Sequence, residues 1–287
     1  MRFFQYILWA GLIFHTTFVN AKEDNTMSRS ERADKTYEQL FLNKRTASPT
    51  DPEFMEILQR NIFGETFYTG NLNNKERELI TVAALATMQT LPQLKAHIGA
   101  ALNAGNSPLE IRETIYQCAP FIGFPRTLNA IGVFNEVAQE RNIKLPLENA
   151  GTTTEADRHE KGLALQTKLY GDEVKKAMAP LPEEYKDIVP NTLTDFCFGD
   201  FYTRDGLTIQ QRELLSLVIL TALGAEKQLS AHVVGALKAG NDKETLLAAM
   251  VQAIPYIGLA NAMTAINLIK TADIDSYQPI YEEPRDE

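Results

Sequence analysis

At 287 residues the chain is long enough for one large or two ordinary domains, and 44% hydrophobic with 23% charged residues is globular composition with material for a sizeable core. A net charge of −9 and a pI near 5.1 argue against a surface built to hold nucleic acid or an anionic membrane.

The N-terminus reads as an export signal. Arg2 precedes an apolar run over residues 3–14, and Val19-Asn20-Ala21 has the small-x-small form of a signal-peptidase site. Residues 1–21 are therefore expected to be cleaved, which makes the mature chain periplasmic or secreted, with no membrane attachment. His15, Thr16 and Thr17 stop the run short of the ~20 apolar residues that a spanning helix needs.

Residues 22–36 read as a polar leader, with a first helix opening near 37–42 and a loop over 43–51. Residues 52–63 carry Phe54, Ile57, Leu58 and Ile62 at helical spacing behind Pro52, a residue suited to the first helical turn. Asn73 and Glu76 form a capping-box pair ahead of a helix over 76–88. Thr90-Leu91-Pro92 breaks that run and opens the next helix, which ends at Ala104-Gly105-Asn106, where Gly105 suits a left-handed cap. Helices over 108–118 and 129–141 follow, separated by a break at Pro120-Phe121-Ile122-Gly123.

The string KERELITVAALATMQTLPQLKAHIGAALNAGN then returns, without a gap, as QRELLSLVILTALGAEKQLSAHVVGALKAGN. Thr208 and Gln211 repeat the capping box, Ala239-Gly240-Asn241 the helix end, and Pro255-Tyr256-Ile257-Gly258 the break. A pattern written twice is a duplicated fold. The expectation is an all-α protein of two tandem helical domains, residues 22–149 and 150–287, each a bundle of about five or six helices. Residues 142–157 form the linker and 271–287 a polar tail.

Polar residues kept in both copies are the first candidates for chemistry. Gln93 and His97 share one helix face, as do Gln228 and His232, and the preceding helix can bring Glu78 or Glu213 across from it. A carboxylate orients an imidazole, selects its tautomer and supports its charged form. A buried structural strut is the competing reading of the same pair. Cys118 and Cys197 are not at equivalent positions and lie in apolar runs; export permits a disulfide between them, and two buried thiols fit equally well. Neither has metal-ligand spacing.

The run RELI…QLKAH…GALNAG…GFP…NA, with its second copy and the lead-ins Phe63-Gly64-Glu65 and Phe198-Gly199-Asp200, resembles the carboxymuconolactone decarboxylase family of the alkylhydroperoxidase D-like superfamily. The resemblance covers most of residues 50–140 and 185–270. It implies an all-helical fold, assembly into rings (here a trimer of two-domain chains), a small-molecule substrate, and decarboxylation without a metal or organic cofactor. The peroxidase branch carries Glu-x11-Cys-x2-Cys-x3-His. Here Thr90 and Gln93, or Ala225 and Gln228, stand where those cysteines belong, which disfavours a peroxiredoxin-type activity because thiol exchange needs a thiolate and a resolving sulfur.

The implied reaction is loss of CO2 from a carboxylated lactone or related enol acid. His97 and His232 are the expected proton donors and Glu78 and Glu213 their orienting partners. Gln93, Gln228, Arg77, Arg212 and, in the first copy only, Arg126 are the expected substrate-binding groups. The second copy has Ala260-Asn261 for Pro125-Arg126 and Thr264 for Asn129, so the first copy is expected to be the working one. A non-catalytic helical binding or assembly module is the remaining alternative.

Overall fold

The computed structural model describes residues 26–273; the expected signal segment and residues 274–287 of the tail lie outside them. Among the described residues every regular element is helical. The first half runs through α1 (Arg29–Phe41), α2 (Pro52–Gly64), a 3-10 turn (Thr66–Tyr68), α3 (Asn74–Met88), α4 (Leu91–Asn103), α5 (Pro108–Gln117), α6 (Ala119–Ile122) and α7 (Phe124–Glu140). The second runs through α8 (Arg158–Tyr170), α9 (Glu173–Met178), α10 (Ile188–Thr192), a π-helical run (Leu193–Tyr202), α11 (Ile209–Leu223), α12 (Glu226–Lys238), α13 (Lys243–Ile257) and α14 (Leu259–Thr271).

Local chemistry sets these boundaries. Reciprocal capping boxes open α3 (Asn73 with Glu76), α5 (Ser107 with Glu110) and α11 (Thr208 with Gln211). Each satisfies backbone N–H groups that the first turn leaves without partners. The breaks fall at Gly123 and Gly258, whose φ of 79° and 85° is backbone that glycine adopts without a Cβ penalty.

Two expectations need correction. In the described part of the polar leader, residues 29–36 are helix: Ser28 and Glu31 form a capping box that starts α1 well before residue 37, and Ala33, Thr36 and Leu40 give it a buried face. The periodic apolar residues of α2 do not all face inward. Phe54 and Ile57 are 65% and 64% exposed, and the helix instead buries Gln59, Ile62, Phe63 and Gly64.

The two tandem helical halves share a core. Every residue from Arg77 to Thr87 on α3, and from Arg212 to Ala222 on α11, is buried. These two helices lie against each other in one core drawn from both halves. Reciprocal hydrogen bonds cross the junction. Arg77 Nη1 donates to Gln252 at 3.1 Å and Arg212 Nη1 to Gln117 at 3.0 Å. The same glutamines donate onward to Thr81 and Ser216, each at 3.1 Å. The repeated Phe-Gly lead-ins have a packing reason as well. A Cβ on Gly64 would strike the Arg29 carbonyl oxygen, and one on Gly199 the Arg158 carbonyl oxygen, so each glycine lets the first helix of its half lie close. Cys118 and Cys197 are buried free thiols, which resolves the choice between a disulfide and two thiols.

Candidate functional site

Each helical hairpin brings its glutamate to its histidine. In the first half α3 presents Glu78 and α4 presents His97, with Nδ1 2.9 Å from Glu78 Oε2. In the second, α11 presents Glu213 and α12 presents His232, with Nδ1 3.3 Å from Glu213 Oε2. Both glutamates are fully buried. An ionised carboxylate only accepts hydrogen bonds, so in the tautomer that bonds to one, Nδ1 carries the hydrogen and Nε2 faces away from the glutamate.

Each pair is also walled by the other half. His97 meets the edge of Tyr256 from α13, with ring centroids 5.3 Å apart. His232 meets Phe121 from α6 at 5.8 Å. Phe121 and Tyr256 are the repeat counterparts in the two break motifs, so the duplication places one half's break against the other half's histidine.

The sites differ in where a phenol stands: Tyr256 of the other half lies against His97, whereas against His232 the phenol is Tyr170 of the histidine's own half. The last residue of α1, Phe41, lies 5.7 Å from the His97 ring. The last residue of α8 is Tyr170, 5.2 Å from the His232 ring. Its hydroxyl donates to Glu213 Oε2 at 2.5 Å and lies 2.9 Å from His232 Nδ1, so it can accept the ring hydrogen. Burial, and next the charge of Glu213, hold the Tyr170 phenol well above its ordinary pKa, so it stays a donor at neutral pH. A matching change makes the room. Gly235 stands one turn along from His232 where the first copy has Ala100, and a Cβ on Gly235 would collide with the Tyr170 hydroxyl. The paired substitutions Phe41 to Tyr170 and Ala100 to Gly235 are thus coupled, and the exchange of Tyr256 for Phe121 is a second difference between the sites.

A cavity of about 420 Å³ opens on the second pair. Its wall includes His232, Tyr170, Gln228 and Cys197, with Phe121 from the first half and Val174, Val189 and Leu193 from the segment after α8. His97 is more enclosed than His232: its side chain is 8% exposed against 17%. In both sites the second carboxylate oxygen, Glu78 Oε1 or Glu213 Oε1, is buried without a geometric hydrogen bond. The expectation that the first copy is the working one is therefore not the one the cavity supports. Side chains brought in by the segment after α8 form the chamber, and Pro125 and Arg126 are absent from its lining.

Two expected binding residues point elsewhere. Arg77 is 1% exposed and donates to the carbonyls of Leu72, Thr66 and Thr69 as well as to Gln252. Burial lowers its pKa to about 10. Arg212 is fully buried, donating to Gln117, to the Arg204 carbonyl at 2.7 Å and to Glu113 at 3.4 Å. Both arginines tie loops and halves together, because a helical residue beside the glutamate points about 100° away from it. Gln93 and Arg126 are exposed. Gln228 borders the cavity.

Tyr170 was not singled out from the sequence. The connection after α8 is longer than its counterpart after α1, so the gapless repeat does not align Tyr170 with Phe41. The signal available was the contrast of Gly235 with Ala100 inside the aligned strings.

Both thiols are held protonated. Burial pushes Cys118 up to about 12, and burial with the nearby Glu213 raises Cys197 further. A protonated, buried thiol is a poor nucleophile.

A model of the carboxymuconolactone decarboxylase family matches residues 52–136 and again 189–271. An uncharacterised 15.0 kDa protein of Paracoccus denitrificans is 37% identical over 82 residues, which is 28% of this chain and 61% of that protein's length. The 4-carboxymuconolactone decarboxylase of Acinetobacter baylyi is 27% identical over 112 residues, 39% of this chain and 83% of that one. The nitrosuccinic acid decarboxylase of Metarhizium robertsii is 26% identical over 106 residues, 36% of this chain and 74% of that one. A solved structure from Burkholderia xenovorans, described as a candidate gamma-carboxymuconolactone decarboxylase subunit, superposes with a TM-score of 0.49 at 21% identity, over 85% of this chain and 96% of that one.

Proposed function

Because the chain belongs to the carboxymuconolactone decarboxylase family, we propose that it is a decarboxylase-like lyase working by acid–base chemistry at His232, on a carboxylated lactone or a related enol acid. The observation that carries this reading is the chamber of about 420 Å³ with His232 in its wall and the Glu213–Tyr170 pair behind the ring. Two relatives named as decarboxylases support the reaction class.

The residues suggest the steps. The bond from the substrate's carboxyl carbon to the ring or chain carbon breaks, and CO2 leaves. The electron pair stays on that carbon and spreads into the conjugated carbonyl, so no external electron acceptor is needed. The protonated form of His232 delivers the Nε2 hydrogen to the carbon and becomes neutral; solvent then restores the proton. Glu213 supports the imidazolium through Nδ1, and Tyr170 shares that contact as a positioning residue. Gln228, at the chamber edge, is a hydrogen-bond donor for the substrate carbonyl. On this reading the first pair, Glu78 and His97, mainly braces the junction of the halves.

Export to the periplasm or beyond, and assembly as a trimer of two-domain chains, belong to the same proposal. Phe124 and Leu128 are 60% and 62% exposed, and their repeat counterparts Leu259 and Met263 are 59% and 42% exposed, which offers equivalent apolar faces for copies to meet.

The test is CO2 release from a panel of lactone and enol acids by the wild type, His232→Gln and His97→Gln. Loss of the proton donor is expected to cost about 10²- to 10⁴-fold in His232→Gln, with His97→Gln near wild type when folded. Unchanged turnover in His232→Gln overturns the assignment.

A further inference from the structure

The chamber beside His232 says which acids suit it. Its body is apolar: Phe121, Val174, Val189, Leu193, Phe196 and Phe198 supply the walls, and none of its lining residues is a lysine or an arginine. The arginines nearest in the motif are spent elsewhere, since Arg212 is fully buried against Glu113, Gln117 and backbone carbonyls. The charge behind the histidine is that of Glu213. Among the described lining residues the only group that can carry positive charge is therefore His232.

One carboxylate can be paired with that imidazolium. A second carboxylate on the same molecule would be taken from water into aromatic and aliphatic surface with no cation to meet it. Such a transfer costs several kcal/mol even after relaxation. An apolar body gains roughly 25 cal/mol per Å² of surface removed from water. A chamber of about 420 Å³ lies within the ~300–1,000 Å³ of small-ligand sites, so there is room for a ring or alkyl body beside the carboxyl. The apolar wall also removes water from the one carboxylate that leaves as CO2.

We propose that the ligand of this site is a hydrophobic mono-acid, one carboxyl group on a predominantly apolar ring or chain, rather than a small polycarboxylate. The proposal rests on the assignment of His232 as the working site, and it narrows the substrate class within that assignment.

Binding of unreactive probes separates the two. Calorimetric titration of the full-length protein with 3-phenylpropanoate and with glutarate is expected to show the aromatic mono-acid binding at least tenfold more tightly. Val189→Trp and Val174→Trp, which narrow the chamber from its rim, where Val189 is exposed and Val174 half-buried, are each expected to weaken the mono-acid at least tenfold, with the melting temperature reported alongside to identify the folded variant. Val189→Arg is expected to move the preference toward glutarate. Equal or tighter binding of glutarate by the wild type, no binding of either probe, or mono-acid binding unchanged in both tryptophan variants overturns the proposal. A mono-acid preference with no CO2 released from any acid would leave the binding class standing and remove the decarboxylase reading. His232-dependent CO2 release with a dicarboxylate preference would do the reverse.

Discussion

Replacing Tyr170 with Phe removes one oxygen and keeps the ring, so the experiment isolates the hydroxyl. That hydroxyl donates to Glu213 Oε2 at 2.5 Å and sits 2.9 Å from His232 Nδ1. After the substitution the buried carboxylate keeps the histidine at 3.3 Å and its neighbour Tyr202. A hydrogen bond to a charged group contributes about 1.5–3 kcal/mol. The expected loss of stability is about 2 kcal/mol, or a fall of roughly 3–4 °C in melting temperature for a chain of this size. Part of that is recoverable, because the first half shows the alternative geometry: with Phe41 at this place, His97 sits 2.9 Å from Glu78. His232 is expected to close onto Glu213 in the same way. Catalysis should then fall about tenfold, the equivalent of ~1.4 kcal/mol on the barrier, rather than collapse. The loss should lie in kcat, with KM little changed, because the hydroxyl faces the back of the ring. Thermal unfolding with steady-state CO2 release over pH 5–9 makes the measurement. A shifted pH profile is the readout that a purely structural hydroxyl would not produce. Wild-type stability together with a wild-type kcat and pH profile would refute the reasoning.

Three further outcomes are expected. Gly235→Ala places a methyl group against the Tyr170 hydroxyl, its ring carbon Cζ and Glu213 Oε2, so it should destabilise the protein and lower kcat, while the double variant Gly235→Ala with Tyr170→Phe should recover only part of the stability because Cζ stays within 2.5 Å of the new Cβ; denaturant titration of the set checks the coupling. Glu113 is fully buried and accepts from Arg204 at 2.9 and 3.0 Å and from Arg212 at 3.4 Å, so Glu113→Ala leaves buried cations unpaired and should cost about 3–5 kcal/mol, read by the same titration. Alkaline pH should destabilise the fold. The thiols of Cys118 and Cys197 and the phenols of Tyr170, Tyr202 and Tyr256 are all raised by burial, so above their ordinary values of 9.0 and 10.0 the unfolded chain releases protons that the folded chain keeps. Stability is then fully present below about pH 9 and lost as pH rises, at up to ~1.4 kcal/mol per pH unit for each group; a folded protein equally stable at pH 8 and pH 11 would contradict those burials.

The amino-acid order alone determined the helical class, the duplication and the two Glu–His pairs. Those signals are local or periodic: capping boxes at Asn73 and Thr208, glycine at the breaks, and a glutamate and histidine kept in both strings. The chemistry of Ser28 and Glu31 was equally readable, and a polar composition hid it. What the linear order could not supply was partnership across the chain. Arg77 and Glu78 are neighbours, yet one reaches Gln252 and loop carbonyls while the other faces His97, since successive helical residues diverge by about 100°. Phe121 reaches the histidine of the other half because α3 and α11 share one core. Tyr170 reaches Glu213 through a fold-back of unequal length that no gapless alignment registers. The tertiary structure alone decided which of two near-identical pairs faces a chamber, because an open volume depends on packing among distant segments, whereas a helix cap depends on residues three apart.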